Sequence, residues 1–196
     1  MKTSFANINA HTTAEICARY AFNQPSLRDE IAPREFVYRL VANRQYLAGI
    51  DFMAHGLPPR DAIWWGCLCL QHAYGNNLCE SEKAACKAAI RWVLEPSEAN
   101  CSAAKQLAGK TGHDSAAGLL AAASHQAGEA SCQPDGDSKS SFAPAKSVAR
   151  AIKLASTRAD PSRIVDSHRL FLELGIGVAE GRFARPGINL KDARQK

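Results

Sequence analysis

Nowhere in these 196 residues do 18 apolar side chains follow one another, so no membrane-spanning helix is expected. The opening MKTSFANINAHTT has one lysine and no apolar stretch behind it, so it does not read as a secretory signal; a cytoplasmic protein without membrane insertion is expected. Pairs of β-branched residues are few. The 46% hydrophobic fraction comes largely from alanine and leucine, which excludes an all-β fold and suits helices that approach closely through small side chains. Clustered charge is also missing. The net charge is +5, yet Arg28, Arg34, Arg39, Arg44 and Arg60 are interleaved with Asp29, Glu30, Glu35 and Asp51, the pattern of solvated helix faces. Phosphate neutralisation needs grouped cations, so nucleic acid is not an expected partner. Only the last fifteen residues lean basic, with Arg182, Arg185, Lys191, Arg194 and Lys196 against Asp192, and 183–196 reads as a basic tail.

Catalytic signatures are absent as well: no G-x-S-x-G, no G-x-x-x-x-G-K-[ST], no H-E-x-x-H, and no G-x-G-x-x-G opening a helix after a strand. Seven cysteines and six histidines raise the question of zinc, but no C-x-x-C or H-x-x-x-H pair exists. Cys67-x-Cys69 would send its thiols about 200° apart on a helix. The cysteine count is odd, and Cys17, Cys67, Cys69 and Cys86 fall inside expected helices as small hydrophobes, which fits a reducing compartment. Neither metal nor cofactor is expected. Cys79 and Cys101 lie near helix starts, where a thiol can be activated. However, Cys101 has no signalled histidine partner and Cys79 no oxyanion loop, so no catalytic residue is assigned. His113 and His125 read as solvent-facing, and His168 as a satisfied core histidine.

What the chain does have is helix punctuation. Pro33, Pro59, Pro96, Pro144 and Pro161 each open a helical pattern, and Thr12-x-x-Glu15 forms a capping box. The expected helices are 13–22, 33–43, 44–55, 59–74, 80–94, 97–109, 114–127, 144–157 and 161–181. Helices 33–43 and 44–55 form an αα-hairpin, with Tyr46, Leu47, Ile50 and Met53 on the inner stripe of the second. The segment from Phe52 to Tyr74 reads as a central buried helix, apolar on almost every side. Residues 1–127 form the main domain, 128–142 a flexible polar loop (GEASCQPDGDSKSS through Ser141), and 143–182 a closing helical pair. In the last helix Gly175 and Gly177 weaken the helix unless another backbone comes close. Pro33-Arg34-Glu35 and Pro59-Arg60-Asp61 lie 26 residues apart, but their downstream patterns do not superimpose. The fold class is all-α, an irregular bundle of eight or nine helices, with solenoid-like stacking as the alternative.

The run Met53-Ala54-His55-Gly56-Leu57-Pro58-Pro59-Arg60-Asp61-Ala62-Ile63-Trp64-Trp65, followed by Cys67, resembles the signature of a bacterial family of small proteins of unknown function. That signature has the form A-x-x-L-P-x-R-E-A-[VI]-W-W-x-C. Asp61 stands where glutamate is usual, which keeps the first-turn charge. The likeness extends over residues 12–95. Such proteins are often encoded near type VI secretion components, which implies an adaptor, chaperone or accessory role, with a secreted effector or secretion component as protein partner. A non-enzymatic protein-binding function is therefore the expectation. The alternatives are an immunity protein, which would need an acidic patch for a basic toxin, and a cysteine-dependent enzyme using Cys101 or Cys79. Trp64, Trp65, Arg60 and His55 are the candidate interface residues. Two adjacent tryptophans lie about 100° apart on a helix, so one should be core and the other accessible. His55 reads as the charged end of its helix, with Gly56 as the left-handed cap.

Overall fold

The computed structural model describes residues 5–8, 10, 12–19, 31–112, 114–132, 142–158 and 161–186. Among them run nine α-helices and no strand: α1 (Thr13–Arg19), α2 (Pro33–Ala42), α3 (Tyr46–Gly56), α4 (Pro59–Tyr74), α5 (Glu80–Leu94), α6 (Glu98–Thr111), α7 (Ala116–Cys132), α8 (Ala143–Ser156) and α9 (Ile164–Ala179). A 3₁₀ turn, Pro161–Arg163, leads into α9. The helix starts follow local chemistry. Proline occupies the first turn of α2, α4 and α8, where a missing N–H leaves nothing unsatisfied. Ser97 accepts from the Asn100 N–H at the head of α6, and the Glu82 carboxylate accepts from the Cys79 N–H at the head of α5. Gly75 (φ 53°) and Gly112 (φ 85°) end α4 and α6 in the left-handed region, which costs other residues more.

The core is built around α4, which packs on α5, α7, α8 and α9. Trp65 is 0% exposed, and its Nε1–H donates to the Phe171 carbonyl at 2.7 Å. Two glycines let neighbouring elements seat closely: a Cβ on Gly175 would lie 2.7 Å from the Trp65 ring, and one on Gly66 2.5 Å from the end of Leu120. Gly175 and Gly177 thus make room for the rings of Trp65 and Phe183, and not for another backbone as the sequence suggests. The N-terminal residues join the same body: Asn7 donates to the carbonyls of Val178 and Ala179.

Several boundaries differ from expectation. Helix α7 continues through Gly128 to Cys132, because Gly128 sits against Cys101 and Trp92 where a side chain would clash; the rest of the expected loop, 133–141, lies outside the described residues. Helix α8 buries Val148, Ala151, Ile152 and Ala155 while packing on α3, α4 and α7, so it shares one core with the first seven helices. Contacts of α8 and α9 with α3 and α4 reach far along the chain, which is bundle packing and not nearest-neighbour stacking. Leu47, expected inside, is 45% exposed, while Ile50 and Met53 of the same stripe are buried. Residues 183–186, expected in the tail, fold back onto α4, and 187–196 lie outside the described residues.

Candidate functional site

The four candidate interface residues do not form one surface. Trp65 is core. Arg60 ties the start of α4 to the end of α5: Nε and Nη2 donate to the Val93 carbonyl at 3.0 and 2.6 Å, and Nη2 to that of Leu94 at 3.1 Å. His55 is buried, its Nδ1 2.9 Å from the Asp51 carbonyl, and burial outweighs that bond to hold the imidazole below its ordinary pKa of 6.5. His55 is therefore not the charged helix end the sequence suggested. Gly56 is helical and packed near Ile16, and Leu57, in extended conformation, terminates α3. Trp64 alone of the four is a partly exposed ring, and its Nε1–H donates to the Phe183 carbonyl at 3.1 Å.

The depressed histidine has a consequence for stability. The unfolded chain accepts a proton that the folded imidazole resists, so the contribution of His55 is complete above about pH 6.5 and declines as pH falls below it. His168, shifted the same way by burial and hydrogen-bonded to Ser156, adds an effect of the same sign. Thermal melts from about pH 7.5 to about pH 5 should show the loss, and His55→Gln should show a shallower one, keeping the share from His168. An unchanged pH dependence in that variant would contradict the assignment.

Around Trp64 the structure assembles a surface from distant parts of the chain. Glu180, just past α9, accepts from Arg34 (3.3 Å), Tyr38 (3.2 Å) and Arg182 (2.8 Å). Burial would raise the Glu180 carboxyl, but these three donors together hold it below its ordinary pKa. The Arg34 guanidinium lies 4.9 Å over the Tyr38 ring and that of Arg182 5.6 Å over Phe183. Beside them Arg185 donates to Asp61 at 2.6 Å, both side chains nearly buried. Tyr38 and Phe183 stand 42% and 41% exposed, so the patch presents aromatic faces framed by arginines. No local pattern signals this: Glu180 and Phe183 meet α2 and α4 only once the chain has folded.

A second cluster lies between α6 and α7. Cys101 Sγ sits 3.4 Å from His125 Nδ1 and 3.4 Å from the His125 carbonyl, and His125 Nε2 is 3.4 Å from Glu129 Oε2. His125, expected in solvent, and Cys101, for which the sequence signals no histidine, are brought together by the packing of α6 on α7. These residues and Trp92 border a cleft of about 340 Å³. Cys79, in contrast, is the exposed residue preceding α5. Cys67 and Cys69 are core, and a hydrogen bond with Cys86, then burial, pushes the Cys67 thiol well up. Among the described residues no group of three His, Cys, Asp or Glu side chains is placed to hold a metal ion, and no helix is long and apolar enough to cross a membrane.

No curated protein and no solved structure matches the chain. A family model does, over residues 36–179, from the first turn of α2 to the end of α9. Trp64, Arg60 and the Cys101 cluster lie inside this stretch, whereas Arg34, Glu180, Phe183 and Arg185 lie just beyond its ends. With the match covering well over half of the chain, the protein belongs to DUF6931, a family of unknown function.

Proposed function

We propose that this chain is a protein-binding helical module whose contact surface is the patch of Arg34, Tyr38, Trp64, Arg182 and Phe183. The observation that carries this reading is composition joined to geometry: Trp, Tyr and Arg are the residues most often found at binding hot spots, and here they are contiguous and partly exposed on a rigid frame. The patch has more arginines than carboxylates, which favours a partner with an acidic surface. That charge is opposite to the acidic patch an immunity protein for a basic toxin would present, so the adaptor reading ranks first. The sequence resemblance narrows it to an adaptor, chaperone or accessory factor of bacterial type VI secretion, with an effector or secretion component as partner.

The test is co-purification with products of the neighbouring genes, comparing wild type with Tyr38→Ala, Trp64→Ala and Phe183→Ala. At least one should weaken capture by about 2 kcal/mol, roughly thirtyfold, and rising salt should weaken the wild-type complex. A partner held equally by all three variants would remove the patch from the account.

A further inference from the structure

The cleft between α6 and α7 contains groups that a binding surface does not need. Cys101 projects from the first turns of α6, a position that favours a thiolate. Its sulfur faces His125 Nδ1, and the opposite ring nitrogen faces the Glu129 carboxylate. A proton on Nε2 directed at Glu129 leaves Nδ1 as the acceptor for the thiol proton, the tautomer a general base requires. The close approach depends on Gly128, since a Cβ there would lie 2.5 Å from Cys101 Sγ and 3.2 Å from Trp92 Nε1. Trp92 supplies the independent observation. The residue is 3% exposed and borders the cleft, and its Nε1 faces the same side of Gly128 as the Cys101 sulfur. An indole N–H at the rim of a cleft beside a thiol is placed to donate to an oxygen brought by a ligand.

We propose that Cys101, His125 and Trp92, with Glu129 as positioning residue, form an acyl-transfer site for small activated esters or thioesters. His125 Nδ1 takes the thiol proton while the sulfur electron pair forms the S–C bond. The carbonyl π pair moves onto oxygen, which accepts from Trp92 Nε1–H. That pair then returns, the bond to the leaving group breaks, and the leaving alcohol or thiol departs with the proton held by His125. Water, deprotonated by the same imidazole, attacks the acyl-cysteine and releases a carboxylic acid and the free thiol. The site adds chemistry to a chain whose sequence reads as non-enzymatic, because the missing element was a histidine for Cys101. It is independent of the aromatic–arginine patch.

The experiment uses the full chain and p-nitrophenyl acetate, with acetylation located by peptide mass mapping and the rate of Cys101 compared with that of the exposed Cys79 in the same molecule. Cys101 should acetylate at least about tenfold faster than Cys79, with a p-nitrophenol burst near one equivalent that Cys101→Ala abolishes. His125→Gln should slow acetylation about a hundredfold. Trp92→Phe, which deletes only the donor and part of one ring, should slow acetylation at least about tenfold while iodoacetamide alkylation of Cys101 stays within about twofold. Alkylation needs the thiolate but no oxyanion donor, so that contrast separates chemistry from mere packing. Equal acetylation of Cys101 and Cys79 would overturn the proposal, as would equal slowing of both reactions in Trp92→Phe. Should that variant lose helicity, the wild-type comparison of the two cysteines decides alone.

Discussion

Trp65→Ala lowers the stability of the folded chain by about 3–5 kcal/mol, on the order of 10 °C in melting temperature, while Trp64→Ala costs about 1 kcal/mol. The two rings share a helix and little else. Trp65 fills the space between α4 and α9 opened by Gly175, and its indole N–H satisfies the Phe171 carbonyl. Truncation there leaves a cavity and removes a buried hydrogen bond to a helix carbonyl. Trp64 lies at the surface, and truncation removes one hydrogen bond to the chain beyond α9 together with part of the contact face. Thermal melts of the two variants, read beside partner capture, should separate the effects. Equal destabilisation would make both rings core and end the case for Trp64 in an interface.

Arg185→Leu should destabilise by about 3 kcal/mol, because it takes the hydrogen-bonded partner from the Asp61 carboxylate in a nearly closed environment. Adding Asp61→Leu should recover part of that loss, since the desolvated charge then disappears along with its partner. The single variant should also release the segment carrying Phe183 and expose more of Trp64, visible as a red shift in tryptophan emission. Denaturant melts measure the first effect. A loss under about 0.5 kcal/mol for Arg185→Leu would show the pair to be an ordinary surface salt bridge and residues 183–186 to be a loose tail.

The elements were legible where short-range chemistry writes them. Proline in a first turn, an acid after it and a cap such as Ser97 act within a few residues, so the starts of α2, α4 and α6 follow from local sequence. That one tryptophan of the pair is buried follows from helical geometry; which one does not, because the Phe171 carbonyl and Gly175 that select Trp65 lie over a hundred residues away. His55 shows the same limit: helix-end chemistry favours a charged imidazole, but burial in the folded chain lowers its pKa. Gly128 reads locally as a breaker, yet it stays helical because α7 needs its missing side chain where Cys101 and Trp92 crowd in. The surface around Glu180 and the Cys101–His125 pair both arise from helix–helix register, which periodicity within one helix does not encode.

The central claim is that the face around Trp64, Tyr38 and Phe183 is where another protein docks. A photo-crosslinking amino acid placed at Phe183 or Tyr38 reads that face directly, with Val165, 60% exposed on α9, as the control position. One discrete adduct, of the same partner, is expected from Phe183 and Tyr38 in the native host, competed away by the unmodified chain, and none from Val165. Adducts from Val165 alone, or none that the unmodified chain displaces at either patch position, would contradict it.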